Sequence, residues 1–369
     1  MTKKILLLGN RRAMPPGFPL TMPENAGNMI HADAAFRIVR NAVFHTREWP
    51  ANASVVDFVE NECSHIVYIF ANALRLGDTE PRQFENTVRF LEETTKPVIA
   101  FGLGAQADSL DAHDDPLPDA AIRMLRILSE RCTSIGVRGA FTQRVLNHHG
   151  VTNVRITGCP SLYTNLDPDF RIDTGADRSD RDIAFAGTHF FRDKEAALLG
   201  FAIRNGFQHV EPVSKLLLEA HNAFNARTPD EPPELPYFIK GIVKRGEAED
   251  AQAVDYIKRR FNMFWDTEVW KKFNRERISL TYGTRFHVNM AALIAGVPAL
   301  WVTHDARTRE LADFMALPSV DIDTAVAFRT PQDALDRAGY DAFNEAYPRL
   351  YANFRSYLDE NALPHNLRG

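Results

Sequence analysis

The chain has 369 residues, more than the roughly 250–300 at which a single core usually stops growing, so two domains are expected. Hydrophobic residues at 45% and charged residues at 25% are ordinary for a globular chain and exclude disorder along its length. A net charge of −5 leaves no basic excess to neutralise a phosphate backbone, so nucleic acid is not an expected partner.

Three cysteines, Cys63, Cys132 and Cys159, stand at wide spacing without a C-x-x-C. That argues against a disulfide framework and against a zinc site, and it fits a reducing cytoplasm. Ile5 to Leu8 follows a basic start but is too short for the apolar core of a signal peptide, and reads as a first strand. The longest apolar stretch, Met290 to Val302, is broken by Gly296 and Pro298 and falls short of the roughly 20 residues of a membrane span.

In chain order, that first strand ends at Gly9-Asn10 and is followed by a loop rich in proline and glycine that carries Arg11 and Arg12. Asn25-Ala26-Gly27-Asn28 leads into a helix expected to reach about Phe44. Ile66 to Phe70 and Pro97 to Phe101 read as strands, with an amphipathic helix from Pro81 to Thr94 between them. The second delivers Gly102-Leu103-Gly104-Ala105-Gln106-Ala107, a dinucleotide fingerprint in letters only. Residues 108–118 are acidic and carry two prolines where the fingerprint needs a helix, so a tight turn is expected.

A helix from Ala120 to Glu130 precedes the strand Thr133 to Val137, which ends in Arg138-Gly139 and opens a helix through Asn147. Cys132 reads as core. Val154 to Ile156 is the next strand, ending in Thr157-Gly158-Cys159-Pro160-Ser161. Asp167-Pro168-Asp169 has the spacing of a metal-binding D-x-D, but a proline between aspartates in a polar stretch fits a solvated turn. Residues 169–182 are expected to link a first α/β domain over 1–168 to a second over 183–335, with helices over 336–369 that are candidates to cross back to the first.

Strand and helix pairs resume at Ile183 to Gly187 and Asp193 to Asn205, then at Gln208 to Pro212 and Ser214 to Phe224. Residues 228–236 read as a proline-rich loop, and the charged 247–261 as a helix with a mostly solvated face. From Ile278, apolar residues alternate with Ser279 and Thr281 as a strand ending at Gly283. Residues 285–295 are apolar on nearly every face, the pattern of a buried helix, with Thr284 as its expected N-cap. Val297 to Thr303 is another buried strand, and a helix from Arg307 to Ala316 stops before Pro318.

Strands alternate with helices in both halves, so two Rossmann-like α/β domains with mainly parallel sheets, facing each other across a cleft, are expected. This resembles the GT-B arrangement. A strand that turns into a helix presents unpaired N–H groups and the positive end of the helix dipole, which suits an anion. Arg285 and His287 occupy such a turn in the second half and Arg138 a comparable one in the first. The same residues also admit a purely structural reading, with Arg285 paired to a distant carboxylate and His287 a hydrogen-bonded core histidine.

The runs Gly283-Thr284-Arg285-Phe286-His287, Ala295-Gly296-Val297-Pro298 and Thr303-His304-Asp305-Ala306-Arg307-Thr308-Arg309-Glu310-Leu311 resemble the C-terminal signature of the polysaccharide pyruvyl transferase family. Ser134 to Thr142, Thr157 to Ser161 and the turn from Gly102 to Gln106 resemble further pieces, so the similarity runs from about Asn25 to Pro318. The family's Asn-x-Gly motif more often ends in Asp where this chain has Asn28.

The resemblance implies a cytoplasmic transferase that moves the enolpyruvyl group of phosphoenolpyruvate onto hydroxyls of a sugar in a cell-surface polysaccharide precursor, forming a ketal and releasing phosphate. No cofactor and no metal is expected. Donor binding falls to Arg138, Arg285, Thr284 and Gln106, with Arg285 also catalytic and His287 the general acid/base, since its ordinary pKa is near neutral. Asn28, His304, Asp305 and Arg307 are expected to support the site, and Asp305 reads equally as a helix N-cap. Without a membrane span, contact with a lipid-linked glycan would be peripheral. Two other functions fit the same fold: a GT-B glycosyltransferase with Arg285 on a nucleotide-sugar diphosphate, and a non-catalytic glycan- or metabolite-binding protein.

Overall fold

The computed structural model describes residues 3–15, 17–18, 25–44, 53–70, 73–77, 82–107, 109–187, 190–226 and 233–369. Parts of the N-terminal proline-rich loop and of the 228–236 loop lie outside these.

The first sheet is parallel, in the order Ala42–Phe44, Lys4–Gly9, Cys63–Ile69, Val98–Phe101. A bridge from Leu103 to Val137 brings the parallel pair Ile135–Val137 and Val154–Ile156 alongside. Successive residues Ile5, Leu6 and Leu7 are all buried, as expected of a parallel sheet covered on both faces. The second sheet is also parallel, in the order Phe261–Asn262, Gln208–Val210, Asp182–Ala186, Ile278–Gly283, Ala299–Thr303, Ser319–Asp321. The chain enters at Asp182–Ala186, builds outward to Phe261, then returns to the other flank with Ile278–Gly283. The strand order therefore reverses between Ala186 and Gly283, where a crevice opens at the carboxyl ends. Two such doubly wound units give the GT-B-like α/β class that the alternation of elements predicts.

At this switch point Gly283 has φ +143°, and a Cβ there would lie 2.1 Å from the Ala186 carbonyl oxygen, so only glycine fits. The Arg285 amide still donates to that carbonyl, which keeps Arg285 on the strand side of the turn. The helix is consequently Phe286–Leu293 with Arg285, not Thr284, at the N-cap position. Other boundaries also move. The expected helix from 28 to 44 is Asn28–Ile38 followed by the edge strand Ala42–Phe44, separated at Asn41 with φ 52°. The expected helix over 247–261 is Asp250–Asp255, a wide turn Tyr256–Arg260 and the edge strand Phe261–Asn262, with Tyr256 and Ile257 buried rather than solvated. Helices Ala53–Glu62 and Tyr237–Lys244 were not anticipated by the sequence pattern.

Long-range polar contacts hold the halves in register. The helix Asp341–Glu360 lies against the first sheet, where the Tyr357 hydroxyl donates to Ala100 O at 2.8 Å and accepts from the Gly136 amide at 3.2 Å. Glu310, on the helix Ala306–Phe314, accepts from the Thr142 amide at 2.9 Å and its hydroxyl at 2.7 Å, capping the helix Ala140–His148 that begins beside Arg138. Burial lifts the Glu310 pKa to about 7 in spite of those bonds. Buried Asp33 is met by Arg12, Arg37 and Lys271; burial pulls its pKa up, but the bonds from Arg37 and Arg12 hold it below the usual value. Asp167 Oδ1 accepts from the Asp169 amide at 3.1 Å, a local turn. No described helix is long and apolar enough to cross a membrane.

Candidate active site

A cavity of about 490 Å³ opens between the carboxyl ends of the two sheets, a size suited to a small ligand. Every candidate site residue reaches it: Asn28, Gln106 and Arg138 from the first half, and Thr284, Arg285, His287, His304, Asp305 and Arg307 from the second. They converge because each follows the carboxyl end of a strand or opens a helix, the positions that parallel α/β sheets present to one edge.

Four arginines line it, and beside the exposed Arg75 three of them, Arg138, Arg285 and Arg307, are candidate site residues. Arg138 is 2% exposed and its Nε donates to Gly102 O at 2.9 Å. Gly102 is itself at φ +68°, and a Cβ there would press to 3.0 Å from His31 Cε1. Arg285 Nε donates to Gly187 O at 2.9 Å, across the switch point. Arg307 lies 3.2 Å from Asp305 Oδ2. Burial lowers the pKa of Arg138 and of Arg285, a sign that both cations are held away from water. Thr284 Oγ1 is buried with no hydrogen-bond partner among the described residues, and so can donate to an anion. Asp305 is the N-cap, with Oδ1 accepting from the Thr308 amide at 2.8 Å in a capping box, and its Oδ2 faces Arg307.

His287 sits on the cavity floor with Nε2 3.5 Å from Cys159 Sγ and its ring stacked 5.7 Å from that of His31. Its pKa is driven well below 6.5 by burial first, then by Arg138 and Arg307. The cations that act on it are thus not its sequence neighbour Arg285. His31 is fully buried, has no hydrogen-bond partner on either ring nitrogen among the described residues, and is shifted down by burial, Arg138 and His287. His31, Cys159 and His287 bring ligand atoms within 4.8 Å of one another, close enough to share a metal ion. The two guanidinium groups acting on the same histidine make a further cation there costly.

Arg75 and two groups of lining residues escaped the sequence reading. Glu211 is 1% exposed, accepts from the Val213 and Ser214 amides at 2.8 and 3.0 Å, and lies 3.3 Å from His209 Nε2, whose Nδ1 is 2.8 Å from the Tyr256 hydroxyl. Burial raises its pKa, but His209 and the charge of Arg285 outweigh that and hold it below the usual carboxylate value. Its signal was available, since Glu211 directly follows the strand Gln208–Val210, the rule that located Arg138. The second group is an aromatic wall of Phe190, Phe191, Tyr237 and Phe238, and a run of aromatics in sequence gives no hint of which face is left open.

Among solved structures, the chain is similar to S. aureus MnaA in complex with UDP, at 8% identity over 100% of both chains with a TM-score of 0.45. It is also similar to a putative UDP-N-acetylglucosamine 2-epimerase from Listeria monocytogenes, at 11% identity over 100% of both chains with a TM-score of 0.46. The glycosyltransferase SnogD from Streptomyces nogalater is similar at 11% identity over 93% of this chain and 79% of that one, with a TM-score of 0.31. No curated protein matches the chain. The family profile described as polysaccharide pyruvyl transferase matches residues 25–306, which carry the whole cavity lining except Arg307, and the chain therefore belongs to this family of transferases.

Proposed function

We propose that the protein transfers the pyruvate skeleton of phosphoenolpyruvate to two hydroxyls of one sugar unit in a polysaccharide precursor. The observation that carries this reading is the set of three guanidinium groups, Arg138, Arg285 and Arg307, contributed by both halves to one cavity. The donor presents a phosphate and a carboxylate on a three-carbon frame, and forked guanidinium groups pair with such anions bidentately. Thr284 Oγ1 and the helix start at Phe286 add donors for the same charge.

The chemistry balances as follows. The methylene carbon gains a proton, C2 loses its double bond and its bond to the phosphate oxygen, and C2 gains two bonds to sugar oxygens. Of the two hydroxyl protons released, one replaces the proton delivered to carbon and the other leaves with hydrogen phosphate. His287 is the group suited to delivering the first proton, because it is an imidazole in the cavity lining whose protonated form a bound phosphate and carboxylate stabilise. Isothermal titration with phosphoenolpyruvate, and with UDP as the competing probe, tests the donor. Saturable binding of phosphoenolpyruvate that UDP does not displace is expected; binding of UDP alone would instead support a nucleotide-sugar transferase.

Asp305→Asn separates that residue's two parts. Asparagine caps a helix about as well as aspartate, so the unfolding midpoint should hardly move. The charge that orients Arg307 is lost, so KM for phosphoenolpyruvate should rise about five-fold or more, given the strength of a charge-assisted pair. An unchanged KM would leave Asp305 as a cap and nothing else.

A further inference from the structure

Glu211 is a buried carboxylate on the wall of the cavity, which the Asp305–Arg307 pair also lines. Glu211 feels the charge of Arg285 but is held by other groups: two backbone amides fix one oxygen, and His209 lies against the other with the Tyr256 hydroxyl behind it. Beside it runs the aromatic wall. The Phe190 ring lies 5.9 Å from His209 and 5.5 Å from Phe238, and Phe238 lies 5.3 Å from Tyr237. A continuous layer thus leads from the holder of Glu211 to the cavity mouth. There Tyr237 and Phe191 are each 66% exposed, the most exposed large aromatic side chains among the described residues.

We propose that this wall and Glu211 form the acceptor half of the cleft: a pyranose ring rests its C–H face on Tyr237 and Phe191, and its attacking hydroxyl gives its proton to Glu211. The inference rests on the pyruvyl-transfer reading for its donor. In the step assigned to Glu211, the sugar O–H bond breaks, the oxygen bonds C2 of the donor, and the proton passes to the carboxylate. That proton then passes from Glu211 to the departing phosphate, which leaves as hydrogen phosphate, while His209 and Tyr256 behind the carboxylate hold it in place. The arrangement separates charges as the reaction needs: cations around the phosphate and carboxylate, and one anion beside the uncharged hydroxyls.

The test uses the full chain with p-nitrophenyl β-glucoside, β-galactoside and β-mannoside. Binding of each glycoside alone is followed by saturation-transfer NMR, and transfer by phosphate release and mass gain in the presence of phosphoenolpyruvate. Tyr237→Ala combined with Phe191→Ala is expected to weaken glycoside binding and raise acceptor KM by about ten-fold, the scale of lost aromatic contacts, with donor affinity unchanged. Glu211→Gln keeps the oxygen that accepts from Val213 and Ser214, so a merely structural carboxylate would tolerate it. As the base, it should instead cost about 10²-fold or more in kcat with KM for the donor held. If the wild type transfers pyruvate and these variants match it, the acceptor seat is wrong and the transfer reading stands. If it transfers nothing from phosphoenolpyruvate yet binds a glycoside that the double variant loses, the sugar seat stands and Glu211 awaits no role in pyruvyl transfer. Failure to bind any of the three glycosides overturns the seat.

Discussion

Replacing His287 with glutamine is expected to lower kcat by about 10²- to 10⁴-fold, the usual cost of losing an acid/base group, while donor affinity and folding persist. Glutamine fills much of the imidazole volume against Cys159 and His31, so the floor of the cavity need not collapse. In the empty enzyme His287 is held neutral at pH 7, because burial, Arg138 and Arg307 depress its pKa well below 6.5. A bound phosphate and carboxylate act in the opposite direction and stabilise the imidazolium. Donor binding should therefore take up protons: affinity tightens as pH falls through the pKa of the complex and levels off below the pKa of the empty enzyme. Titrations in two buffers of different ionisation enthalpy read that uptake directly. His31 and His304, also shifted down, remain in the variant, so the uptake lost on replacing His287 is that of this residue together with any change it releases in the His31 ring stacked on it. A variant that keeps wild-type turnover, or that loses turnover only because it melts, would make His287 a structural histidine.

How far the sequence disclosed this arrangement depends on the physical signal each element carries. The unit from Ile278 to Phe314 was legible because its alternation and its continuous apolar run need no tertiary context, and because Gly283 marks a turn that admits no side chain. Arg138 and Arg285 were legible through one rule, that ligands gather at carboxyl ends of parallel strands. The same rule applied to Gln208–Val210 would have found Glu211, which was passed over because a lone carboxylate did not match the anion chemistry being sought. His31 falls one helical turn after Asn28 and so shares its face, but a buried histidine among alanines resembles core until Gly102 and His287 are seen against it. Short edge strands such as Ala42–Phe44 and Phe261–Asn262 carry too few residues for a period to register, and so were absorbed into neighbouring helices. The order of the strands, which creates the crevice, is a non-local property and has no signature in any one segment.

Arg138→Met is expected to weaken phosphoenolpyruvate binding by about 30- to 4000-fold, the equivalent of the roughly 2–5 kcal/mol lost when one partner of a buried charge pair is removed. The side chain is anchored rather than flexible: Nε is committed to Gly102 O, and the helix that begins beside it is capped by Glu310 from the opposite half. Such pre-organisation makes a guanidinium effective against an anion, because little rotamer freedom remains to be lost on binding. Arg138→Lys should fall between wild type and Arg138→Met, since it returns a positive charge without the planar fork. A second readout separates this role from packing. Arg138 is, after burial, the largest influence lowering the pKa of both His31 and His287, so removing its charge should move both imidazoles upward. An NMR titration of the histidine ring protons would show it, at a pH where circular dichroism confirms that the variant is folded. A folded Arg138→Met protein that binds phosphoenolpyruvate as tightly as the wild type would mean that Arg285 and Arg307 hold the donor by themselves and that Arg138 serves the fold.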